Sequence, residues 1–172
     1  MDLTLLFKDK TISSKQKTAQ ICHWLIEGSV SIHEILRYAE KAKPNEKATC
    51  IEGIEQASKL NAGIVTQEAF VFVINSLLDK EPRVKWESAR VIGNAAMLFK
   101  DTLDEAINNL LLNTKHDGTV VRWSAAYALG EIIKLRTTHN TTLIDLIKPI
   151  IEAESKNSIQ KIYNAAIKKV NN

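Results

Sequence analysis

The sequence predicts an all-α protein: a solenoid of about five antiparallel helix pairs that form a single domain over residues 1–172. One observation is a segment that recurs at an interval of about 37 residues. A second is that each copy carries apolar residues at helical spacing. A third is that the 172 residues include only 6 Gly and 3 Pro, so long uninterrupted helices are expected. Repeated helical units of this size bury their apolar faces by stacking on one another.

The repeat is clearest between residues 82–96 and 118–133. Aligning them places Val84 on Val121, Lys85 on Arg122, Trp86 on Trp123, Ala89 on Ala126 and Gly93 on Gly130. Weaker copies begin near residues 14, 44 and 159, as expected if terminal repeats meet water on one side. The approximate repeats are therefore 10–28, 30–61, 66–99, 101–136 and 141–170.

The helices that connect the copies are predicted at 31–42, 66–78, 102–113 and 142–153. Thr66 and Thr102 are candidate N-caps, and Glu105 would complete a capping box with Thr102. Pro82 and the pair Asp117–Gly118 mark joints between helices. Pro149 is expected to kink or interrupt the fourth connecting helix.

The composition is that of a soluble globular chain and indicates no particular partner. The formal net charge is +3, and nucleic-acid-binding domains usually carry a larger positive charge concentrated on one surface. Two cysteines are too few for a disulfide framework, the first ten residues lack a secretory pattern, and no apolar run could span a bilayer. A cytoplasmic location and no membrane association are therefore expected.

The run "DGTVVRWSAAYALGEI" at 117–132 resembles HEAT repeats, most closely the short type found in phycobilisome-lyase-like proteins. The resemblance covers residues 10–170. It implies a right-handed superhelix in which the second helix of each pair lines the concave side. It also implies that a basic residue after the leading Val, here Lys85 or Arg122, pairs with an acidic turn residue of the same or the adjacent repeat. Asp79, Glu81 and Asp117 are available for such pairs.

One position on each repeated helix lies opposite its apolar arc, and stacking would align these positions into a row. The row is aromatic in its middle, acidic at its early end and basic at its late end. The candidate partner-binding residues are Trp86, Arg90, Trp123, Tyr127, Met97, Lys134, Glu52 and Glu55. Aromatic side chains with Arg at the centre of a surface are typical of binding hot spots. A bound segment would cross Trp86 and Trp123 with its basic end toward Glu52 and Glu55.

The competing interpretation is that both indoles cover neighbouring helices and belong to the core. The glycines beside them, Gly93 and Gly130, have two interpretations as well. They permit close approach of the next helix, or they leave room for a ligand next to each Trp.

No catalytic residue, cofactor or metal site is predicted. The four histidines have no helical pairing with one another, and no Gly-rich phosphate loop is present. The favoured function is a non-enzymatic scaffold for a protein or peptide. One alternative is a nucleic-acid-binding protein similar to HEAT-like DNA glycosylases that excise alkylated bases. Another is an accessory role like that of phycobilin lyases, for which no residue provides evidence.

Overall fold

The computed structural model describes residues 2–171, which form ten α-helices and no strand. The helices are α1 Leu3–Lys8, α2 Ser14–Glu27, α3 Ile32–Lys41, α4 Pro44–Leu60, α5 Gln67–Ser76, α6 Pro82–Ala95, α7 Asp104–Asn113, α8 Thr119–Lys134, α9 Asn140–Ala153 and α10 Asn157–Asn171. Three short 3₁₀ turns, Ala62–Ile64, Ala96–Leu98 and Lys100–Thr102, lie in the connections.

The helices alternate between two layers. The repeated segments form α2, α4, α6, α8 and α10, which pack side by side in chain order and are called the inner layer here. Helices α3, α5, α7 and α9 form the outer layer, and each packs on the inner helix that follows it. The apolar core lies between the layers and includes Ile35, Phe70, Leu110 and Leu129, all buried. The predicted all-α solenoid of stacked helix pairs is confirmed.

Helix starts follow the expected capping chemistry in part. Thr66 is the N-cap of α5, since its hydroxyl accepts a hydrogen bond from the Ala69 amide at 3.2 Å. The prediction for Thr102 and Glu105 is wrong, because α7 begins at Asp104 with Leu103 as its N-cap and no side-chain cap. Leu103 is completely buried, so burial of this side chain sets the entry to α7.

Two further differences from the expected elements lie at the ends of the array. The short helix α1 was not predicted; the Asp2 carboxylate caps it by accepting the Thr4 amide at 2.7 Å, and Leu3 and Leu6 are buried. Of the kink or interruption expected at Pro149, the interruption is contradicted, since α9 runs through this residue from Asn140 to Ala153 without a break. Pro149 and Asp145 are both exposed, so water can hydrate the carbonyl that loses its helical donor.

Basic residues at one repeat position bind the turns between helices, as expected, but with different partners. Lys47 pairs with Asp79 at 2.8 Å, whereas Lys85 donates to the Leu77 carbonyl at 2.9 Å. Arg122 pairs with Glu154 of the following repeat at 2.8 Å, not with Asp117. It also donates to the carbonyls of His116 and Asp117, both at 2.9 Å. Predicting these acceptors required the path of the turns, which the repeat pattern does not specify.

The pair between Arg122 and Glu154 should make stability depend on pH. The hydrogen bond from Arg122 holds the pKa of the Glu154 carboxyl below its ordinary value of 4.5. The resulting stabilisation is fully present above pH 4.5 and is lost as the pH falls through the lowered pKa. We expect Glu154→Gln to cost about 2 kcal/mol at pH 7, because both side chains are largely buried.

Urea unfolding of the wild type and the variant at pH 7 and pH 3 measures this difference. Asp145→Asn is the control, because it removes an ion pair with Lys148 that is exposed to solvent on both sides. A Glu154→Gln effect as small as that of Asp145→Asn, or one that does not shrink at pH 3, would contradict the assignment.

Candidate functional site

The inner layer has one surface that the outer layer does not cover, and the helix neighbours define it. A Cβ on Gly93 would lie 2.6 Å from the Tyr127 ring, so this position faces α8. A Cβ on Gly130 would lie 3.4 Å from the Ile162 side chain, so this position faces α10. The open face, as we call it, is the surface of α4, α6, α8 and α10 turned away from the outer layer. Gly93 permits the close approach of α8, whereas a Cβ at Gly130 would make ordinary contacts with α10. Neither position leaves room for a ligand.

The centre of the open face is a stacked aromatic pair. The rings of Trp123 and Tyr127 are 5.9 Å apart between centroids and nearly parallel, at 2°. Trp123 is 39% exposed, while Tyr127 is half-buried and packs over Gly93. The pair is therefore supported from beneath and open to solvent above, as an anchor for a partner needs to be.

Hydrogen bonds fix the orientation of this pair. The Tyr127 hydroxyl donates to Asn94 Oδ1 at 2.7 Å. The Asn94 amide in turn donates to Ser58 Oγ at 2.9 Å and to the Glu55 carbonyl at 3.2 Å. Hydrogen bonds that link α8 to α6 and α6 to α4 thus hold the Tyr127 ring in place, and stacking on that ring holds Trp123. An aromatic surface that is ordered before binding loses little conformational entropy when a partner arrives.

Trp86 occupies the same repeat position as Trp123 but has a different environment. Its indole N–H donates to the Glu87 carboxylate at 2.7 Å, and the side chain is half-buried. Within residues 2–171, the aromatic pair on this face joins Trp123 to Tyr127 and does not include Trp86. Neither indole is sealed in the core, but they do not form the continuous pair of rings that the repeat alignment suggested.

Glu55 was expected to face a partner, and this expectation is wrong. Its side chain is 1% exposed and lies 2.9 Å from Arg90 and 2.6 Å from Lys59. Arg90 also contacts the buried Glu87 carboxylate at 3.0 Å. Burial raises the pKa of Glu87, and its bonds with Trp86 and Arg90 oppose that effect. Arg90 therefore compensates two buried carboxylates, a role that the helical wheel could not reveal.

Glu52 is also occupied within the protein. It pairs with Arg83 of α6 and accepts a hydrogen bond from the Thr18 hydroxyl of α2 at 3.0 Å. About a quarter of its side chain remains exposed. The acidic end that was expected to attract a basic segment is thus neutralised by arginines of the next inner helix.

The two remaining candidates lie near the C-terminal ends of their helices. Met97 is 59% exposed in the turn after α6. Lys134 pairs with Glu131 one turn earlier on α8 and is partly exposed. Both are accessible, and Lys134 belongs to the basic end of the face.

A groove that the sequence did not predict lies on the opposite side of the molecule. A cavity of about 790 Å³ separates the outer helices α7 and α9. Its apolar lining comprises Leu111, Leu112, Leu146, Pro149, Ile150 and Ala153, and the pair of Arg122 and Glu154 lies at one end. Asp117, Arg122 and Pro149 line it, but their sequence pattern does not predict a groove, since the gap depends on how far two helices separate.

Residues 2–171 contain neither of two further types of site. No group of three or more His, Cys, Asp or Glu residues in this range is arranged to hold a metal ion. No helix in the same range is long and apolar enough to cross a membrane.

Comparisons with known proteins show the fold alone. No protein-family model matches the chain, and no curated protein matches it. An engineered protein of known structure is similar, with a TM-score of 0.79 and 16% identity, covering 98% of this chain and 78% of the other.

Two designed armadillo repeat proteins are also similar. One was computationally designed for modular peptide recognition; its TM-score is 0.75 at 15% identity, covering 97% of this chain and 80% of the other. The other is in complex with the peptide (KR)4; its TM-score is 0.68 at 14% identity, covering 97% and 79%. The chain therefore has the fold of a helical-repeat solenoid, similar to that of designed armadillo repeat proteins.

Proposed function

We propose that this protein is a non-enzymatic scaffold that binds a segment of another protein on its open face, with Trp123 and Tyr127 as the anchor. The half-exposed, pre-ordered ring pair is the observation that carries the proposal. Large aromatic side chains provide much contact area while few rotatable bonds lose conformational freedom on binding, and they dominate the energetics of many interfaces.

The fold supports this class of function. A solenoid offers an extended rigid surface, and the similar designed armadillo proteins include one intended for peptide recognition and one bound to a peptide. We further propose that the repeats are of the short HEAT type, on the strength of the Val-Arg-Trp run at 121–123. A cytoplasmic location is part of the same proposal.

The experiment selects peptides from a displayed random library on the immobilised protein and titrates the selected peptides by fluorescence anisotropy. We expect Trp123→Ala to weaken binding at least about 30-fold, as loss of a hot-spot side chain does, because the stacked anchor is removed. The Tm should change little, since Trp123 lies at the surface.

Leu78→Ala is the matched control, because it removes an exposed apolar side chain that lies outside the inner layer. Two results would contradict the proposal: selection that yields no peptide, or peptides that bind wild type and Trp123→Ala equally well.

A further inference from the structure

The charges on the α4 and α6 part of the open face compensate one another. Three carboxylates, those of Glu52, Glu55 and Glu87, meet three cations. The cations are Lys59, Arg83 and Arg90. Glu55 and Glu87 are almost completely buried. The cations in contact with them cancel most of their negative charge, so a partner at the surface would experience little attraction from them.

The α8 and α10 end of the same face is basic. Helix α10 contains Lys161, Lys168 and Lys169 and no acidic residue. All three lysines are exposed, and none forms an ion pair within residues 2–171. Within residues 2–171, Glu131 is the one acidic side chain on α8 and α10, and it is already paired with Lys134.

The position of these cations relative to the aromatic anchor follows from the packing of the last two inner helices. The repeat alignment places Lys161 at the position that Trp123 holds on α8. The neighbouring Ile162 faces Gly130 of α8, so α10 packs directly beside the helix that carries the anchor. Arg136 donates to the Lys169 carbonyl at 3.1 Å, which keeps a fourth cation at the C-terminal end of α10. The anchor is thus bordered by a compensated surface on one side and by uncompensated positive charge on the other.

We infer that the bound segment is acidic: an apolar or aromatic side chain sits on Trp123, and the neighbouring Asp or Glu residues lie over α10. This inference rests on the proposed function and specifies its partner. Complementary charge across an interface accelerates association and excludes segments of the opposite sign. It is the reverse of the basic segment that the sequence pattern favoured, because that pattern did not show the burial of Glu55.

The test uses the library-selected peptides, together with two synthetic peptides that share one Trp and differ only in carrying five Glu or five Lys residues. We expect the selected peptides to be enriched in Asp and Glu. The Glu peptide should bind at least about tenfold more tightly than the Lys peptide at 0.1 M salt, a preference that falls with added salt.

Charge reversal locates the effect. The variant Lys161→Glu/Lys168→Glu should weaken the Glu peptide roughly tenfold and improve the Lys peptide. The control is Lys10→Glu/Lys100→Glu, which makes the same change in net charge at exposed lysines outside α8 and α10, and it should leave both affinities unchanged. Circular dichroism confirms that both variants remain folded.

The outcomes separate the inference from the proposed function. Two outcomes overturn the acidic partner but not the scaffold function. In one, binding depends on Trp123 but not on peptide charge; in the other, both pairs of lysine substitutions change binding equally. Absence of any Trp123-dependent peptide overturns both. A single-stranded oligonucleotide that binds this face more tightly than the Glu peptide, with a steep salt dependence, overturns the inference in favour of nucleic acid.

Discussion

Gly53→Ala should destabilise the protein by about 2 kcal/mol, even though alanine is the better helix former. An added Cβ would lie 2.5 Å from Ile21 Cγ2 and 2.8 Å from Ile21 Cβ. Ile21 is completely buried and branched at Cβ, so rotation of its side chain does not relieve the contact. Helices α2 and α4 would have to separate, and the cost of overpacking exceeds the gain of about 1 kcal/mol from helix propensity.

Gly130→Ala is the matched control, and its effect should have the opposite sign. The nearest atoms to its added Cβ are Ile162 Cγ2 at 3.4 Å and the Ala166 Cβ at 3.5 Å, which are ordinary contacts. We expect a stabilisation of up to about 1 kcal/mol from helix propensity. Urea unfolding followed by circular dichroism measures both variants. Equal effects of the two substitutions would mean that the α2–α4 contact is looser than the structure has it.

Arg90→Met should cost about 3 kcal/mol, because it leaves Glu55 and Glu87 buried without their shared cation. Methionine retains most of the apolar part of the Arg90 side chain. The loss of stability therefore measures the effect of removing the positive charge. Burial already raises the pKa of Glu87. The difference between variant and wild type should therefore shrink as the pH falls and this carboxyl becomes protonated.

Lys59→Met is the comparison for Arg90→Met. Lys59 contacts the same Glu55 carboxylate, but its side chain is 48% exposed, so its removal should cost little. Adding Glu55→Gln to Arg90→Met should recover part of the lost stability, since the uncompensated charge is then gone. If Arg90→Met instead costs no more than Lys59→Met, Arg90 is available to a partner, as the sequence had indicated.

Much of the fold followed from the sequence because its signals are local. Two clear copies of the repeat and three weaker ones predict the number of units, and apolar spacing predicts the inner helices within a few residues. The cap at Thr66 followed from the chemistry of its own side chain and the next turn. The start of α7 did not follow in this way, because burial of Leu103 outweighed a local capping pattern.

The same distinction between local and non-local signals explains which residues of the candidate binding face could be predicted. A helical wheel assigns residues to a side of one helix, and it correctly placed Trp123, Tyr127 and Met97 where solvent reaches them. It cannot show which charges the neighbouring helix covers, so it predicts a surface carboxylate at Glu55, which is in fact buried. Nor could it show that Trp86 turns to Glu87 while Trp123 stacks on Tyr127.

Spacings along the chain are therefore enough to predict the architecture, which is all-helical and repeated, with one aromatic position on two successive inner helices. Packing between the helices sets which charges of the open face are paired, and within residues 2–171 the lysines of α10 form no ion pair. Helix formation and repeat stacking depend on spacings within one unit, which the sequence records directly. Burial and ion pairing instead depend on distances of a few ångströms between units, which no spacing along the chain records.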